Sequence, residues 1–250
     1  TAATANGTGA MRTTAAADAT TTADADAATA LAAETALIAA ITAAPQGRKQ
    51  VDASSAEAVQ LIASSAEHPG AGSCYIDGGV PEAALGALAR LFDSLPLAAC
   101  VRSSQGLNER SYYCDVEGWV TSVLERALRA GEAALGAAGG MQLPCAGAVL
   151  PQMRFLRYAE PGGGLAPHTD LSRTRRSDGR TSRCTFILYL TDCEQGGRTV
   201  LLEHLTGAKV LAEVVPRRGR LLLFPHACPH RADEVVAEGL PKLLLRGEVI

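Results

Sequence analysis

The sequence has no apolar run of about eighteen residues or more, the length that a membrane-spanning helix needs. It also has no excess of either charge, since the formal net charge over its 250 residues is -3. A balance this close to neutral gives no global case for a nucleic-acid or membrane partner. The length is sufficient for one sizeable hydrophobic core.

The cysteines form no Cys-x-x-Cys pair and no spacing typical of a zinc site. There are seven of them, and an odd number scattered along the chain indicates reduced, mostly buried thiols. This usage favours a reducing compartment, so we expect a cytoplasmic protein.

Basic and large apolar residues are rare in residues 1–30, which consist almost entirely of Ala, Thr, Asp and Gly, with Arg12 as the only basic residue. This composition buries little apolar surface and is typical of a disordered tail. Its acidic residues argue against a transit peptide, and no basic segment precedes an apolar one as in a signal peptide.

Four segments have the composition or the apolar period of helices. Residues 28–44 have high helix propensity, and residues 52–67 offer a second helix with a serine cap. In residues 81–95 and 116–138 the apolar side chains fall three or four apart, which predicts two amphipathic helices.

After residue 150 the apolar period becomes that of strands. Short apolar or alternating runs are each bounded by turn residues. These runs are 153–159, 184–191, 198–204, 208–215, 220–226, 233–237 and 242–250. Short strands without intervening helices indicate a β-sandwich or barrel with the earlier helices packed outside.

The expected fold class is therefore α+β, mainly β. We expect a tail (1–30), an Ala-rich helical segment (31–71) and one folded domain (72–250), with its strand-rich core at about 150–250.

The candidate chemistry lies in GGGLAPHTDLS, residues 162–172, where one residue separates His168 from Asp170. In an extended segment, residues i and i+2 point to the same side, so both can bind one metal ion while Thr169 turns away. His230 follows later, after a Pro-containing turn. Two imidazoles and one carboxylate are the facial triad of non-haem Fe(II) sites, which leaves coordination positions open. The third ligand should come from a neighbouring strand.

At this point the chain resembles the Fe(II)- and 2-oxoglutarate-dependent dioxygenases, specifically the prolyl 4-hydroxylase branch, over about residues 72–250. Four motifs occur in the family's order: RFLRYAEPGGGLAPHTD, RCTFILYLTDCEQGGRTVLL, PRRGRLLLFPHACPHRADEVV and KLLLRGEVI. Gly-Gly-x-Thr at 196–199 and Gly-x-Leu-Leu-x-Phe at 219–224 match framework features of that family. The resemblance implies a double-stranded β-helix (jelly roll) whose open end holds iron.

The resemblance also implies the roles of individual residues. His168, Asp170 and His230 are the expected iron ligands. His226 is the alternative to His230, but the family's spacing places this ligand after the turn.

The expected anchor for the distal carboxylate of 2-oxoglutarate is a basic residue on the last strand. Lys242 and Arg246 both fit, because residues four apart face the same side of a strand. The family's spacing favours Lys242, whereas the planar fork of Arg246 suits a carboxylate better. Tyr158 matches a tyrosine that reaches the co-substrate, and Thr185 matches a residue that lines its pocket. Their ordinary interpretations are a core tyrosine and a β-branched strand residue.

The implied reaction is hydroxylation of a C–H bond with release of succinate and CO2. Its implied requirements are Fe(II), 2-oxoglutarate, O2 and ascorbate, and the favoured substrate is a prolyl residue of a peptide or protein. The loop 173–183 contains five arginines and one aspartate, a local charge of +4, and should overhang the mouth of the site. It is the only sequence support for a nucleic-acid base or a free amino acid as substrate, and a solvated loop is the alternative interpretation.

Two further points stay open. Arg110, Tyr112 and Tyr113 either line the mouth of the site or pack under a helix, and we favour packing. A jelly roll that binds a partner without catalysis is the non-enzymatic alternative, although it would not require two histidines and an aspartate in this arrangement.

Overall fold

The structure is a computed structural model that describes residues 56–98, 108–145, 147–158, 161–236 and 241–250. Within these ranges the helices are α1 (Glu82–Ser94) and α2 (Trp119–Ala137). The strands are β1 (Glu57–Gln60), β2 (Cys74–Asp77), β3 (Glu109–Cys114), β4 (Gln152–Tyr158), β5 (Leu165–His168), β6 (Cys184–Tyr189), β7 (Thr199–Leu202), β8 (Val210–Val214), β9 (Leu221–Pro225), β10 (His230–Ala232) and β11 (Lys242–Val249).

The strands form two antiparallel sheets. The larger sheet has the order β1-β2-β9-β6-β11-β4-β3, and the smaller one has the order β5-β10-β7-β8. From β4 onward the chain passes back and forth between the two sheets. This is the winding of a double-stranded β-helix, or jelly roll, and it confirms the predicted fold class.

The main core lies between the two sheets. Its members include Tyr189, Leu201, Leu222, Phe224 and Leu244. The outer face of the larger sheet is covered as well, since Phe92 of α1 packs against Phe155 of β4 with ring centroids 5.7 Å apart. Because central strands are covered on both faces, every residue of β6 is buried and its sequence is apolar nearly throughout.

The helices α1 and α2 confirm the predictions for 81–95 and 116–138. Leu85, Leu88 and Phe92 are buried on one stripe of α1, and Trp119 and Val120 begin the buried stripe of α2. The predicted tail at 1–30 and the predicted helix at 28–44 lie outside the described residues.

The predicted helix over 52–67 is wrong. Residues 57–60 form β1, which pairs antiparallel with β2 and alternates between exposed and half-buried positions. Helix propensity in this Ala- and Ser-rich stretch is outweighed by pairing with the edge of the larger sheet. The described part of the predicted helical segment 31–71 is therefore not helical, and the domain limits remain predictions.

Six of the seven predicted strand runs contain a strand. The run 233–237 is wrong, because the strand lies earlier, in β10, and Val235 forms only an isolated bridge with Gly196. The backbone of this run instead bonds to glycine turns: the amide of Val235 donates to the carbonyl of Gly163 at 3.0 Å. Strands β1, β2, β3 and β5 were not predicted.

The expectation that the cysteines are reduced thiols fails for one pair. Cys145 and Cys184 form a disulfide, so that part of the expectation is wrong. Cys74, Cys193 and Cys228 are free and buried, and Cys114 is free and exposed. In the described part of the chain, no helix has both the length and the apolar character required to cross a membrane.

Candidate metal centre

The pairing of two short strands brings the predicted histidines together. β5 and β10 are antiparallel neighbours in the smaller sheet, and His168 and His230 face each other directly in their register. Their ring centroids are 4.2 Å apart. His230 therefore lies on a strand next to that of His168, which is where the third residue of the predicted triad was expected.

Asp170 lies two residues beyond the end of β5, so the segment is not a continuous strand as expected. Its position is fixed instead by its backbone amide, which donates a hydrogen bond to the carbonyl of His226 at 2.9 Å. The ligand atoms of His168, Asp170 and His230 all lie within 4.8 Å of one another. No other described group of His, Cys, Asp and Glu residues brings ligand atoms this close.

The hydrogen bonds of the two imidazoles leave the correct nitrogens available for a metal. Nδ1 of His168 lies 2.8 Å from the carbonyl oxygen of Ala166, and Nδ1 of His230 lies 2.9 Å from that of Cys228. A carbonyl oxygen can only accept, so each Nδ1 carries the hydrogen and each Nε2 keeps its lone pair. The Nε2 atoms of His168 and His230 lie 3.8 Å from the two carboxylate oxygens of Asp170.

The electrostatics of the site favour the protonation states that bind metal ions. Burial alone would raise the pKa of Asp170, but the guanidinium of Arg246, the His230 ring and the hydroxyl of Thr185 together lower it to about 2. Burial lowers the pKa of His230 to about 4, against the opposing effect of the Asp170 carboxylate. At neutral pH the carboxylate is therefore ionised and the His230 imidazole is neutral.

Thr185 supports the aspartate directly. Its hydroxyl donates to Oδ2 of Asp170 at 2.5 Å. Because its single hydrogen is used there, Thr185 must accept from Nδ1 of His226 at 2.9 Å. Nε2 of His226 then accepts from the hydroxyl of Ser182 at 2.8 Å. Thr185 is fully buried and does not line the cavities described below, where we had predicted it.

His226 is therefore placed behind the site and not in it. Its ring nitrogens are both used by Thr185 and Ser182, and burial lowers the pKa of the ring. The alternative that His226 replaces His230 in the triad does not fit this geometry.

The network predicts an effect on metal affinity. Thr185→Val keeps the side-chain shape but removes the hydrogen bond to Asp170, and we expect it to weaken Fe(II) binding by about 10- to 100-fold. Thr185→Ser, which retains the hydroxyl, serves as the matched control. Fe(II) affinity is measured by competition with a chromogenic chelator, and an unchanged affinity of the valine variant would show that this bond does not position the carboxylate.

Two cavities that share several lining residues, Tyr158, His168 and Arg246 among them, lie beside the three candidate ligands. The larger, of about 600 Å³, is lined by residues of β3, β4, β11 and the β5 end, including His168 and Asp170. The smaller, of about 40 Å³, is lined by residues that include His230, Lys242 and Tyr158. Tyr158 is buried and lines both cavities.

The two candidate anchors differ in their surroundings. Lys242 is 1% exposed, and no ion pair joins it to any described residue. Its Nζ lies 5.1 Å from the ring centroid of Tyr158 and 5.8 Å from that of Tyr189, and burial lowers its pKa to about 8. Arg246 is already occupied, since its Nη2 lies 2.5 Å from Asp170 Oδ1 and its Nη1 3.4 Å from Glu248 Oε1.

The Arg-rich loop 173–183 was expected to overhang the mouth of the site, but only part of it lies there. It folds back on itself through a bridge between Thr174 and Thr181, and Arg175 pairs with Asp178. Of its five arginines, Arg173 lines the larger cavity.

Two further arginines line this cavity. From the sequence, we expected one of them to pack under a helix and did not single out the other. Arg110 lines it from β3, so our preference for packing under a helix was wrong for this residue, and Arg154 lines it from β4. Tyr112 is 61% exposed, and Tyr113 donates to Asp115 at 3.2 Å. The alternation of the strand RFLRY places Arg154 and Tyr158 on one face, a pattern that could have identified the arginine.

Comparison with known proteins gives one family match. Residues 153–247 match the family model of the 2OG-Fe(II) oxygenase superfamily. No curated protein sequence matches the chain.

Solved structures give weaker similarities. A prolyl-4-hydroxylase from Pseudomonas putida is 20% identical with a TM-score of 0.49, and the match covers 71% of this chain and 91% of the other. For a viral collagen prolyl hydroxylase from Paramecium Bursaria Chlorella virus-1 the identity is 15%, the TM-score 0.47 and the coverage 74% and 98%. A prolyl hydroxylase from Trichoplax adhaerens, in complex with a hypoxia inducible factor peptide fragment, is 16% identical with a TM-score of 0.45. The match covers 71% of this chain and 83% of the other.

The family match covers the segments that contain His168, Asp170 and His230. It also covers Lys242 and Arg246. Residues 153–247, the strand-rich part of the chain, are therefore similar to the 2OG-Fe(II) oxygenase superfamily.

Proposed function

We propose that this protein is an Fe(II)- and 2-oxoglutarate-dependent dioxygenase that hydroxylates a C–H bond, with His168, Asp170 and His230 as iron ligands and Lys242 as the anchor of 2-oxoglutarate. The observation that carries the proposal is the convergence of two Nε2 atoms and one carboxylate beside a buried lysine that no described carboxylate pairs with. Ascorbate and O2 complete the set of small molecules that such an enzyme uses.

The residues fit an iron site by the chemistry of their donors. Imidazole nitrogen and carboxylate oxygen suit Fe(II), and three ligands on one side leave positions for other molecules. Both Nε2 atoms face the carboxylate with their lone pairs free, because the Nδ1 hydrogens are held by backbone carbonyls. The larger cavity lies on the open side, against His168 and Asp170.

The choice of Lys242 over Arg246 follows from charge. A buried ammonium without a counter-ion is costly, and an anion in the same cavity removes that cost. The distal carboxylate of 2-oxoglutarate is such an anion, and its pairing with Lys242 is a charge-assisted bond in a dry site. Arg246 is a weaker candidate for the anchor, because it already forms ion pairs with Asp170 and Glu248 and compensates their charges.

When bound, iron would activate O2 with 2-oxoglutarate as the reductant: one oxygen atom of O2 would enter succinate as 2-oxoglutarate loses CO2, and the other would enter the C–H bond of the substrate. The residues of the protein would orient the iron ligands and exclude water from the site. Thr185 fixes the orientation of the Asp170 carboxylate, and the backbone carbonyls fix both imidazole rings. Tyr158 and Leu244 form apolar walls beside Lys242, which keep water away from the oxidant.

The substrate that we propose is a prolyl residue of a peptide or protein. Its support is the set of motifs shared with the prolyl 4-hydroxylase branch, from RFLRYAEPGGGLAPHTD to KLLLRGEVI. The larger cavity has the volume of ordinary ligand sites, which span roughly 300–1,000 Å³, and at about 600 Å³ it can take a short stretch of peptide.

The test is anaerobic addition of Fe(II) and 2-oxoglutarate to the purified protein. We expect a weak visible charge-transfer band from the iron chelate in the wild type, and no band in His168→Ala. His204→Ala is the matched control, because His204 is 74% exposed on its side chain and lies away from the site. A band that persists in His168→Ala would contradict the ligand assignment, and its absence from the wild type would favour a non-catalytic jelly roll.

A further inference from the structure

The larger cavity is lined by more positive than negative groups. Four arginines line it, namely Arg110, Arg154, Arg173 and Arg246. Among the described residues, the carboxylates that line it are two, those of Asp170 and Glu248. Fe(II) and 2-oxoglutarate have equal and opposite formal charges, so their binding leaves this excess unchanged. We name this space the arginine cavity.

The two carboxylates are already shared among several guanidinium groups. Glu248 has a side chain only 4% exposed, and it lies 3.8 Å from Arg154, 3.4 Å from Arg173 and 3.4 Å from Arg246. One of its oxygens is buried without a hydrogen-bond partner among the described residues. A single carboxylate therefore holds three guanidinium groups close together, and it cannot neutralise all of them.

Two of the arginines are the least compensated. Arg110 bonds to the amide oxygen of Asn108 at 2.8 Å, and none of the described carboxylates forms an ion pair with it. Burial and the adjacent positive charge of Arg246 lower the pKa of Arg154. Both side chains come from neighbouring strands of the larger sheet, β3 and β4, and reach the same space.

Like charges held together at the wall of a cavity are unfavourable unless an anion binds there. Guanidinium groups recognise carboxylates through paired N–H donors, which gives direction as well as strength. Because the arginine cavity also contains His168 and Asp170, an anion held by Arg110 and Arg154 lies beside the iron ligands. It would fix which C–H bond of a substrate faces the metal.

We infer that the arginine cavity binds a carboxylate of the substrate, next to the position that is hydroxylated. This rests on the proposed function, and in a peptide the carboxylate is either an acidic side chain beside the proline or the peptide's C-terminus. A nucleic acid fits less well. Phosphodiester chains need a continuous basic track, whereas Arg175 is paired with Asp178 and Arg180 lines a separate cleft along α2.

The test uses two pairs of N-acetylated prolyl dipeptides. In the first pair the residue after proline is glutamate or glutamine, with the C-terminus amidated. In the second pair that residue is glycine, with the C-terminus free or amidated. Binding to the enzyme loaded with Fe(II) and 2-oxoglutarate is measured by calorimetry without O2, so that no turnover is required.

We expect the carboxylate member of at least one pair to bind about 10- to 100-fold more tightly than its neutral partner. Arg154→Gln and Arg110→Gln should each remove most of this difference. Arg176→Gln, which removes an exposed charge from the Arg-rich loop, should preserve it. The charge-transfer band of each variant shows that its iron site is intact.

Equal binding within both pairs, or a difference that survives both cavity variants, would overturn the inference. So would binding of a single-stranded oligonucleotide that depends on Arg154 while neither dipeptide pair discriminates. Failure of the proposed function gives a different pattern. If the carboxylate members bind selectively without O2 but gain no oxygen atom in air, the prolyl assignment fails and the arginine cavity stands.

Discussion

Replacement of Lys242 by methionine is expected to weaken 2-oxoglutarate binding severely and to stabilise the ligand-free protein. Truncation of one partner of a buried, hydrogen-bonded charge pair costs about 2–5 kcal/mol, which corresponds to a Kd increase of roughly 30-fold to a few thousand-fold. Lys242→Arg should retain much of the affinity, because it keeps the positive charge. The Kd is read from the anaerobic charge-transfer band during titration with 2-oxoglutarate.

Lys242→Met is expected to stabilise the ligand-free protein even though it weakens 2-oxoglutarate binding, because none of the described carboxylates forms an ion pair with the buried ammonium. Burial lowers the pKa of Lys242 from 10.5 to about 8, which corresponds to a cost of about 3 kcal/mol in the folded state. This cost is full below pH 8 and disappears as the pH rises through the ordinary pKa of lysine, since the unfolded chain then also loses its proton. Methionine has a similar volume and no charge to bury.

The measurement is denaturant unfolding of the metal-free proteins at neutral pH. We expect Lys242→Met to be more stable than the wild type, and Lys209→Met, at an exposed lysine paired with Glu203, to bring no such gain. If Arg246 is the anchor instead, Lys242→Met will leave the Kd of 2-oxoglutarate nearly unchanged. That result would also remove the reason for a lysine at this buried position.

Removal of His230 is expected to abolish succinate formation, whereas removal of His226 is expected only to weaken it. His230 offers its free Nε2 to the metal, so His230→Ala leaves two protein ligands and turnover should fall to the level of the metal-free enzyme. The His226 ring reaches Asp170 only through Thr185, and its backbone carbonyl, which accepts from the Asp170 amide, is retained in an alanine variant. His226→Ala should therefore lower Fe(II) affinity by about 10- to 100-fold, and excess Fe(II) should restore its turnover.

Excess Fe(II) should restore the turnover of His226→Ala but not that of His230→Ala. A general loss of structure in both variants would not produce this difference. Succinate formation is followed as a function of Fe(II) concentration for both variants. Restoration of His230→Ala by excess Fe(II), together with a lasting defect of His226→Ala, would reverse the assignment of the two residues.

The sequence predicted the parts of the molecule in which the apolar pattern determines the structure. The runs that became β4, β6 to β9 and β11 are bounded by turn residues, and α1 and α2 carry clear apolar stripes. It also predicted that a distant histidine would join the His-x-Asp pair. The β5–β10 pairing brings these residues together, although the sequence alone did not identify β5 as a strand.

The parts that were missed depend on tertiary contacts. β1 has a helical composition and becomes a strand because β2 offers an edge to pair with. The arginine cavity was not predicted. The alternation of side chains along β4 shows that Arg154 and Tyr158 lie on one face of the strand, but it does not show which face points toward the interior of the jelly roll. That choice depends on Phe155, which packs against Phe92 of α1, so that its neighbours Arg154 and Leu156 line the cavity beside the candidate metal site. Thr185 was singled out for the co-substrate pocket, because nothing in its sequence context indicates the bond to Asp170.

The direct pairing of His168 with His230 also limits how the chain can be lengthened. Residues can be added in the long connections between the two strands without altering the pairing, so loop length there is free to vary. A single residue inserted within β5 ahead of His168 has a different effect, because successive strand residues point to opposite faces. The His168 imidazole would then turn away from His230, while an insertion of two residues would return it to the correct side, displaced along the strand by two residues. Odd and even insertions at this strand should therefore differ in whether any metal site can be rebuilt.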